Sequence, residues 1–409
     1  MSPSAEATAN RTAAPPRDAA LKFVVLLGVV SLFADMTYEA ARSITGPFLA
    51  LLGASGAAVG VIAGGGELVG YALRLWSGRL ADRTRRYWLI TLLGYAINLL
   101  AVPLLALAGH WVAAAVLIVL ERAGKALRTP ARDVMLSFAA RQTGRGWGFG
   151  LHEALDQAGA TVGPLIVAAV LYFTSDYRMS FAVLLVPALL SLSVLLAARR
   201  LYPRPQELEP AGQPHLDAHG FPRSFWLYIA GTCLVAAAYA DYPLIAYHFQ
   251  RTGSVPQEWI AVLYAIAMGV DGLAALALGR WYDRHGALAL IGATACSALF
   301  PLFAFTGGFA SALAGAVLWG IGMGAQESIM RAAIAEFTSV ERRGTAFGLF
   351  NMAFGVVWFA GSAALGWLYD VSIPALIAVS MGLQAAAIVL FAVTHRVRLR
   401  ERRSGGDPT

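Results

Sequence analysis

The sequence predicts an all-α membrane protein with twelve transmembrane helices, arranged as two pseudo-symmetric bundles of six. Of the 409 residues, 58% are hydrophobic and 13% are charged, and the mean hydropathy is +0.62. Soluble domains carry about 25% charged residues. Apolar runs long enough to cross about 30 Å of hydrocarbon recur along the chain. A short charged sequence between two such runs begins at Gly78 and reappears at Gly279, which indicates a duplication.

The apolar runs give the predicted helices in order. They lie near residues 21–43, 56–77, 88–108, 111–129, 144–173, 178–198, 223–249, 257–279, 287–306, 309–332, 344–369 and 373–394. The first run is interpreted as a retained helix rather than a cleaved signal, because Asp35 stands where a signal would have a small-residue cleavage site.

Composition shifts divide the chain into five segments. We predict a disordered cytoplasmic tail (1–20), an N-terminal half (21–198), a cytoplasmic linker (199–222), a C-terminal half (223–394) and a basic cytoplasmic tail (395–409). The linker is rich in proline and has no apolar periodicity. A second repeat supports two related halves, because residues 145–151 resemble residues 343–349.

The basic residues predict the orientation. They concentrate in alternate connections and in the C-terminal tail, whereas the other connections keep only Arg42, Arg178 and Arg251. Basic loops remain in the cytoplasm, so both termini are predicted to be cytoplasmic. The chain is therefore expected to be a multi-pass protein of the cell inner (plasma) membrane.

Several classes of protein are excluded by what the sequence lacks. The basic residues behind the net charge of +7 lie mainly in the loops, where membrane topology accounts for them, so no nucleic-acid partner is expected. The two cysteines lie inside apolar runs, which predicts neither a disulfide framework nor a metal site. Asp156 occupies the place where a zinc-binding helix starting at His152 would have its second histidine. With no phosphate-binding loop or nucleophile elbow in the sequence, we expect no enzyme activity, no cofactor and no metal.

The repeated charged loop carries a family resemblance. Its first copy reads Gly78-Arg79-Leu80-Ala81-Asp82-Arg83-Thr84-Arg85-Arg86 and its second Gly279-Arg280-Trp281-Tyr282-Asp283-Arg284-His285-Gly286. It resembles the signature loop of the major facilitator superfamily, G-x-L-A-D-R-x-G-R-R/K, although Arg85 replaces the second glycine and Tyr87 the last basic residue. The resemblance implies a gating motif made of Gly78, Asp82, Arg83, Arg86, Gly279, Asp283 and Arg284.

In such a gate, Asp82 would accept hydrogen bonds from backbone N–H groups at the N-terminus of a neighbouring helix. The arginines would hold the loop at the anionic cytoplasmic leaflet. The alternative is a basic loop that sets topology and has no gating role.

Ionisable residues within the predicted helices are distributed unevenly. They occur in helices 1, 2, 4, 5, 7, 8 and 10, and are absent from the interiors of helices 3, 6, 9 and 12. The family resemblance implies that those four are lipid-facing, that helices 1, 4, 7 and 10 line a cavity, and that helices 2, 5, 8 and 11 join the halves. Charges inside a membrane span are by default functional or paired. The candidates for proton coupling and for the cavity are Asp35, Glu39, Glu67, Glu121, Arg122, His152, Asp156, Asp241 and Glu327.

Helix 1 carries the first candidates for proton binding. Asp35 and Glu39 lie four residues apart and share a helix face, with Asp35 near the middle of the membrane. Because desolvation disfavours a charged carboxylate, such a group can bind and release a proton. Proton coupling through Asp35, Glu39 or Asp156 is one hypothesis; a static ion pair with an arginine is the other.

Helix 4 and helix 7 suggest the walls of the cavity. Arg122 lies deep in the membrane and must face carboxylates or a polar substrate. Lys125 and Arg128 are expected to snorkel towards the cytoplasm. Tyr239 and Tyr242 in helix 7 suggest an aromatic wall suited to bulky, weakly polar or cationic solutes.

Helix 5 contains Gly159, Gly163 and Pro164, a G-x-x-x-G-P sequence that permits close helix packing and a kink. It is similar to a motif of antiporters in the superfamily, although residues 165–167 replace the usual second glycine pair. The resemblance implies a monomeric, proton-coupled exporter of a small organic molecule, with the solute, protons and the lipid bilayer as its partners.

Two alternatives remain open. The first is a proton symporter that imports a sugar, a carboxylate or another nutrient and holds an anionic group with Arg122. The second is a sensor or a lipid-moving protein built on the same scaffold.

Overall fold

The computed structural model describes residues 17–143, 145–205, 221–336 and 343–404, and these are helical apart from short turns. Most of the predicted N-terminal tail (to residue 16), linker residues 206–220 and the last five residues of the C-terminal tail lie outside the described residues. Residues 17–20 were predicted to be disordered, and this is wrong. They form the first turn of a helix, because Ala20 and Phe23 pack into the core.

The described residues form twelve helical elements, numbered here as spans, in the predicted order. In the first half they are span 1 (Arg17–Leu51), span 2 (Gly56–Thr84), span 3 (Tyr87–Leu104 with the 3-10 turn Leu105–Leu107), span 4 (Trp111–Thr143), span 5 (Arg145–Thr174) and span 6 (Tyr177–Val183 and Leu185–Leu201).

In the second half they are span 7 (Arg223–Ala238 and Tyr242–Thr252), span 8 (Gln257–His285), span 9 (Ala287–Ser297 and Phe300–Ala304), span 10 (Phe309–Glu327 and Ile329–Glu336), span 11 (Arg343–Val371) and span 12 (Ile373–Ser404).

Eleven of these elements are long and apolar enough to cross a membrane by composition, within the described residues. The exception is span 4, which places Glu121, Arg122, Lys125 and Arg128 within its apolar part. A helix with this charge is stable in a bilayer only if the charged side chains face the interior of the bundle. Span 4 is thereby expected to lie beside a polar site.

Several helices are longer than predicted. Span 1 extends to Leu51 rather than 43, span 4 to Thr143 rather than 129, and span 12 to Ser404 rather than 394. A helix satisfies its own backbone hydrogen bonds and can continue past the hydrocarbon. The apolar runs therefore mark only the part of each helix that needs an apolar environment.

Span 7 was predicted to be one continuous helix and is instead broken at Tyr239–Asp241. Pro243 follows the break, and a proline lacks the N–H donor and clashes with the carbonyl four residues before it. Span 5, by contrast, continues through Pro164 as a single helix.

The halves join as the family resemblance implies. Span 2 packs along span 11, span 5 along span 8, and span 1 along the second helix of span 7. A Cβ added at Gly60 would lie 2.3 Å from the Ser362 carbonyl oxygen, so spans 2 and 11 are in backbone contact. Spans 3, 6, 9 and 12 pack within their own halves. Their outward surfaces carry exposed apolar side chains such as Leu93 and Val186.

The spans alternate in direction, so Arg17, Thr84, Leu201, His285 and Ser404 all lie at one end of the bundle. We call this the terminal end and the other the opposite end. The sequence predicts that the terminal end is cytoplasmic.

Candidate functional site

A cavity of about 620 Å³ lies between the two halves. It extends to the terminal end, because Arg132 and Asp133 from the later part of span 4 and Glu153 from the third turn of span 5 line it. Among the predicted site residues it is lined by Asp35, Glu39, His152, Asp156 and Glu327. Glu67 and Arg122 line a smaller adjoining cavity, and Glu121 and Asp241 line a third. The structure therefore brings all nine predicted cavity residues to the centre of the bundle.

The base of the cavity is closed by ion pairs. Arg42 Nη2 lies 3.7 Å from Glu67 Oε1 and 3.5 Å from Asp241 Oδ1, which links the first half to the second. Arg122 Nη1 lies 3.6 Å from the same Glu67 oxygen, and Arg122 Nε lies 3.3 Å from Glu121 Oε2. Glu67 therefore lies between two arginines. The Arg122 guanidinium is paired with two carboxylates of the protein itself, those of Glu67 and Glu121.

Span 4 adds a further pair one turn closer to the terminal end. Lys125 Nζ lies 3.6 Å from Glu39 Oε1, and Glu39 also accepts a hydrogen bond from the Tyr264 hydroxyl of span 8. Asn98 Nδ2 donates to Glu121 Oε1 at 2.8 Å. We call the seven paired residues Glu39, Arg42, Glu67, Glu121, Arg122, Lys125 and Asp241 the ion-pair network.

Asp241 lies at the break in span 7 and binds three spans together. Its carboxylate accepts hydrogen bonds from Trp358 Nε1 at 3.1 Å and from Ser362 Oγ at 2.6 Å, besides its contact with Arg42. Asp241 is 2% exposed. A buried carboxylate is stable in an ion pair only if its other lone pairs are also satisfied, and here they are.

Asp35 lies close to the middle of span 1 and outside the ion-pair network. It is 5% exposed, and its Oδ1 accepts no hydrogen bond from the described residues. On the neighbouring span 5, His152 Nδ1 lies 3.4 Å from Asp156 Oδ2. Of the three residues predicted to be able to carry a proton, Glu39 and Asp156 thus have an ionisable partner that can be cationic, and Asp35 has none within 4 Å among the described residues.

The glycine motif of span 5 packs directly against Asp35. A Cβ added at Gly159 would lie 2.3 Å from the Leu32 carbonyl oxygen and 3.0 Å from the Asp35 Cβ. A Cβ added at Gly163 would lie 2.5 Å from the Met36 carbonyl oxygen. The small-residue seam predicted from the sequence therefore joins span 5 to span 1 at the level of the unpaired carboxylate.

The snorkelling predicted for Arg128 is wrong. Its side chain is 1% exposed, and its guanidinium lies 4.1 Å from the ring centroid of Tyr95 and 5.7 Å from that of Tyr38. Lys125 Nζ lies 3.9 Å from the Tyr38 centroid. Aromatic faces attract cations, so these two side chains turn inwards to tyrosines rather than outwards to lipid headgroups.

Other polar residues at the cavity were not singled out by the sequence. Arg132 Nη1 donates to Ser31 Oγ at 3.0 Å and pairs with Asp133. Gln157 of span 5 donates to Asp271 of span 8 at 3.3 Å, across the contact between the halves. The sequence shows that span 8 contains an ionisable residue, Asp271. Only the packing of span 8 against span 5 shows that this residue faces Gln157.

The two charged loops share a backbone feature. Arg85 follows the last residue of span 2 with a φ of 51°, and Gly286 follows the last residue of span 8 with a φ of 54°; both occupy the same position of the repeated sequence. A positive φ at a helix end favours glycine, which explains the glycine at this position of the family loop. The side chains of Asp82 and Asp283 lie outside the described residues, so the gating role remains a prediction, while Arg83, Arg86 and Arg284 are exposed.

At the opposite end, an acidic residue of one half caps a helix of the other. Asp370, at the end of span 11, accepts hydrogen bonds from the backbone N–H groups of Gly56 at 2.9 Å and Ala57 at 2.7 Å. Ser55 caps the same helix from its own half, accepting from Ala58 N–H at 3.1 Å. The first N–H groups of a helix have no partner within the helix. Asp370 therefore joins the two halves at the opposite end by binding backbone N–H groups at a helix N-terminus. Asp82 of the family motif is expected to make the same kind of contact at the terminal end.

We expect Asp370→Ala to open the opposite end, because it removes two hydrogen bonds to a charged acceptor. Each contributes about 1.5–3 kcal/mol, so the population of the open state should rise at least about tenfold. Distances between spin labels placed across the opposite end measure that population. Ser55→Ala is the control, since it costs the same helix about 1 kcal/mol without touching the other half; equal distance distributions in both variants would contradict this role.

A sequence profile of the Major Facilitator Superfamily matches residues 27–253 and 224–408. The chain belongs to the major facilitator superfamily. It is a multi-pass membrane transporter of that superfamily, and the family assignment made from the charged loop is confirmed.

Relatives of this major facilitator cover nearly its whole length. An uncharacterized protein of Mycobacterium tuberculosis is 44% identical over 382 residues, covering 92% of this chain and 93% of the relative. An uncharacterized MFS-type transporter of Methanocaldococcus jannaschii is 24% identical over 359 residues, covering 86% of this chain and 89% of the relative.

Solved transporters share its fold. A mutant of the nucleoside transporter NupG superposes with a TM-score of 0.75 at 12% identity, covering 91% of this chain and 99% of NupG. A bacterial homolog of the human lysosomal transporter Spinster, in an inward-facing and occupied conformation, gives 0.72 at 16% identity, covering 97% of this chain and all of the homolog. At these identities the likeness shows the fold alone.

Proposed function

We propose that this major facilitator is a proton-coupled exporter, which exchanges a small organic molecule for protons by alternating access. The contact between span 5 and span 1 carries the proposal. Gly159 and Gly163 place the backbone of span 5 against Leu32 and Met36, on either side of the unpaired Asp35. A small movement between these two spans therefore changes the surroundings of Asp35, and with them its affinity for a proton.

The charges on the wall that the second half contributes to the cavity support exchange. The second half contributes Asp271 and Glu327 to the cavity lining, together with Tyr264 and Trp319, and no lysine or arginine among its described lining residues. Carboxylates beside aromatic faces suit a weakly polar or cationic solute. A positively charged solute and a proton lower each other's affinity for the same acidic wall, because like charges repel. That competition is what an exchanger requires.

The internal pairing of Arg122 weakens the case for an importer of anions. Glu67 and Glu121 already neutralise this guanidinium, at 3.6 and 3.3 Å. An anionic solute would have to displace both carboxylates to reach it. The hypothesis that Arg122 holds an anionic group therefore receives no support from the contacts.

The direction of export rests on the predicted topology. If the terminal end is cytoplasmic, the cavity lined by Arg132 and Glu153 collects solute from the cytoplasm, while Asp370 and Tyr247 hold the opposite end closed. The gate residues Asp82 and Asp283 would form the corresponding closure at the terminal end in the other state.

Transport in proteoliposomes tests the proposal. A growth screen of a deletion strain against a broad compound panel first supplies the solute. We expect a proton gradient to accelerate the exchange of solute for protons by the wild-type protein. Asp35→Asn should reduce that acceleration at least about tenfold, which corresponds to a loss of about 1.4 kcal/mol. Solute-for-solute exchange, which moves no net proton, should persist in Asp35→Asn.

Asp18→Asn is the matched control, because Asp18 lies exposed in the first turn of the same helix and outside the cavity. Proton dependence that survives both Asp35→Asn and Asp156→Asn would place the proton route elsewhere. Solute movement in the same direction as the protons would identify an importer instead.

A further inference from the structure

Among the residues that the structure describes, two buried carboxylates of the cavity have no cationic group within 4 Å. Each carboxylate of the ion-pair network lies within 4 Å of an arginine or lysine, and Asp156 lies within 4 Å of His152. Asp35 and Asp271, at 5% and 2% exposure, have no such neighbour among the described residues. Asp35 was already a candidate for the proton. Asp271 is a second carboxyl group in the same situation, on the other half of the molecule.

Asp271 is held in place by close packing within its own half. A Cβ added at Gly324 of span 10 would lie 2.6 Å from the Asp271 carbonyl oxygen, so spans 8 and 10 are in backbone contact at this level. Its side chain lines the cavity and accepts a hydrogen bond from span 5. The position of the carboxyl group is therefore fixed by the backbones of the second half, while its partner belongs to the first.

The only described hydrogen bond to the Asp271 carboxyl crosses between the halves. Gln157 Nε2 donates to Asp271 Oδ2 at 3.3 Å, whereas Asp271 Oδ1 accepts none from the described residues. A Cβ added at the next residue, Gly272, would lie 3.7 Å from the Gln157 Cγ, so the backbone of span 8 passes close to this side chain. A glutamine offers both a donor and an acceptor, so it can bind either the carboxylate or the protonated carboxyl group.

The charged groups around Asp271 repel a second negative charge. Those that act on it from the packed spans are Glu153 on span 5, Glu327 on span 10 and Glu39 on span 1. A carboxylate without a counter-ion is costly inside a membrane. A proton is the smallest ligand that removes this charge, and the cavity gives it a path from water.

We propose that Asp271 is a second proton-binding site, and that its hydrogen bond to Gln157 transmits its protonation state to the contact between the halves. When spans 5 and 8 separate, Gln157 is withdrawn and more of the carboxyl group is exposed to water; when they close, its exposure falls back to the 2% of this structure. One hydrogen bond thereby links proton binding to the movement of the two halves against each other. This inference rests on the proposed exporter function, since it assigns that exporter a further proton.

Infrared difference spectroscopy of the purified protein tests the site without a solute. Spectra recorded between two pH values show a band from each carboxyl group that takes up a proton. We expect one such band to be absent in Asp271→Asn, to return at a shifted frequency in Asp271→Glu, and to shift in Gln157→Leu. Glu258→Gln, a carboxyl change on the same helix outside the cavity, should leave that band unchanged.

Identical spectra for the wild-type protein and Asp271→Asn would overturn the proposal. If Asp271→Asn does not fold, an unshifted band in Gln157→Leu overturns it instead. In proteoliposomes, Asp271→Asn should reduce the number of protons exchanged per solute molecule. The assigned band without any proton-driven solute movement in the wild-type protein would refute the exporter function while leaving the proton site intact.

Discussion

Gly46→Val is expected to abolish transport. A Cβ added at Gly46 would lie 1.9 Å from the Pro243 carbonyl oxygen and 2.9 Å from the Tyr247 backbone nitrogen. Both obstructing atoms are backbone atoms, which cannot move aside as a flexible side chain can. Span 1 and the second helix of span 7 would be forced apart, and the opposite end could no longer close.

The measurement is solute exchange in proteoliposomes combined with labelling of a cysteine introduced at Ala54. That residue is buried in the closed state and its carbonyl oxygen accepts a hydrogen bond from the Tyr247 hydroxyl at 2.9 Å. We expect exchange to fall at least about a hundredfold, because a loss of 2.7 kcal/mol or more of closure energy corresponds to that factor. Labelling from the opposite side should become rapid.

Gly382→Val is the matched control. Gly382 lies within span 12, is exposed on the outer surface of the bundle, and would place its Cβ in open space. The intrinsic helix propensity changes by the same small amount in both variants, so this control tests whether the close approach at Gly46 matters rather than glycine as such. Wild-type exchange in Gly46→Val would mean that spans 1 and 7 do not need to meet for transport.

Asp241→Ala is expected to destabilise the protein by about 3–5 kcal/mol, the cost of removing one partner from a buried ion pair. The substitution leaves Trp358 Nε1 and Ser362 Oγ without their acceptor and removes one of the two carboxylates near Arg42. Because Asp241 connects span 7 to span 11 and to span 1 of the other half, we expect both the packing and the closure of the opposite end to weaken.

Thermal unfolding of the purified protein, followed by tryptophan fluorescence, measures this effect as a lower midpoint. Ser362→Ala serves as the comparison, since it removes a single hydrogen bond and should cost about 1 kcal/mol. If the two variants unfold at the same temperature, the ion pair with Arg42 adds nothing to the stability of the bundle.

The membrane-spanning architecture could be predicted because the bilayer imposes it locally. Any stretch that crosses hydrocarbon must be apolar over a known length and must satisfy its own backbone. These demands account for the order of the spans and for the absence of charge from the interiors of spans 3, 6, 9 and 12, while the two halves were recognised from the repeated charged loop. They also explain the limits of the prediction, since helix ends such as Thr143 and Ser404 lie beyond the region where apolarity is needed.

The sequence by itself therefore determined that this protein is a duplicated twelve-span transporter and which charged residues its interior contains. Only the tertiary structure decided how those charges combine. Arg122 is paired internally, Arg128 is enclosed by tyrosines, and Asp271 meets Gln157 across the halves. The physical reason is that the energy of a buried charge depends on atoms within a few ångströms of it, and helix packing brings those atoms together from distant parts of the chain.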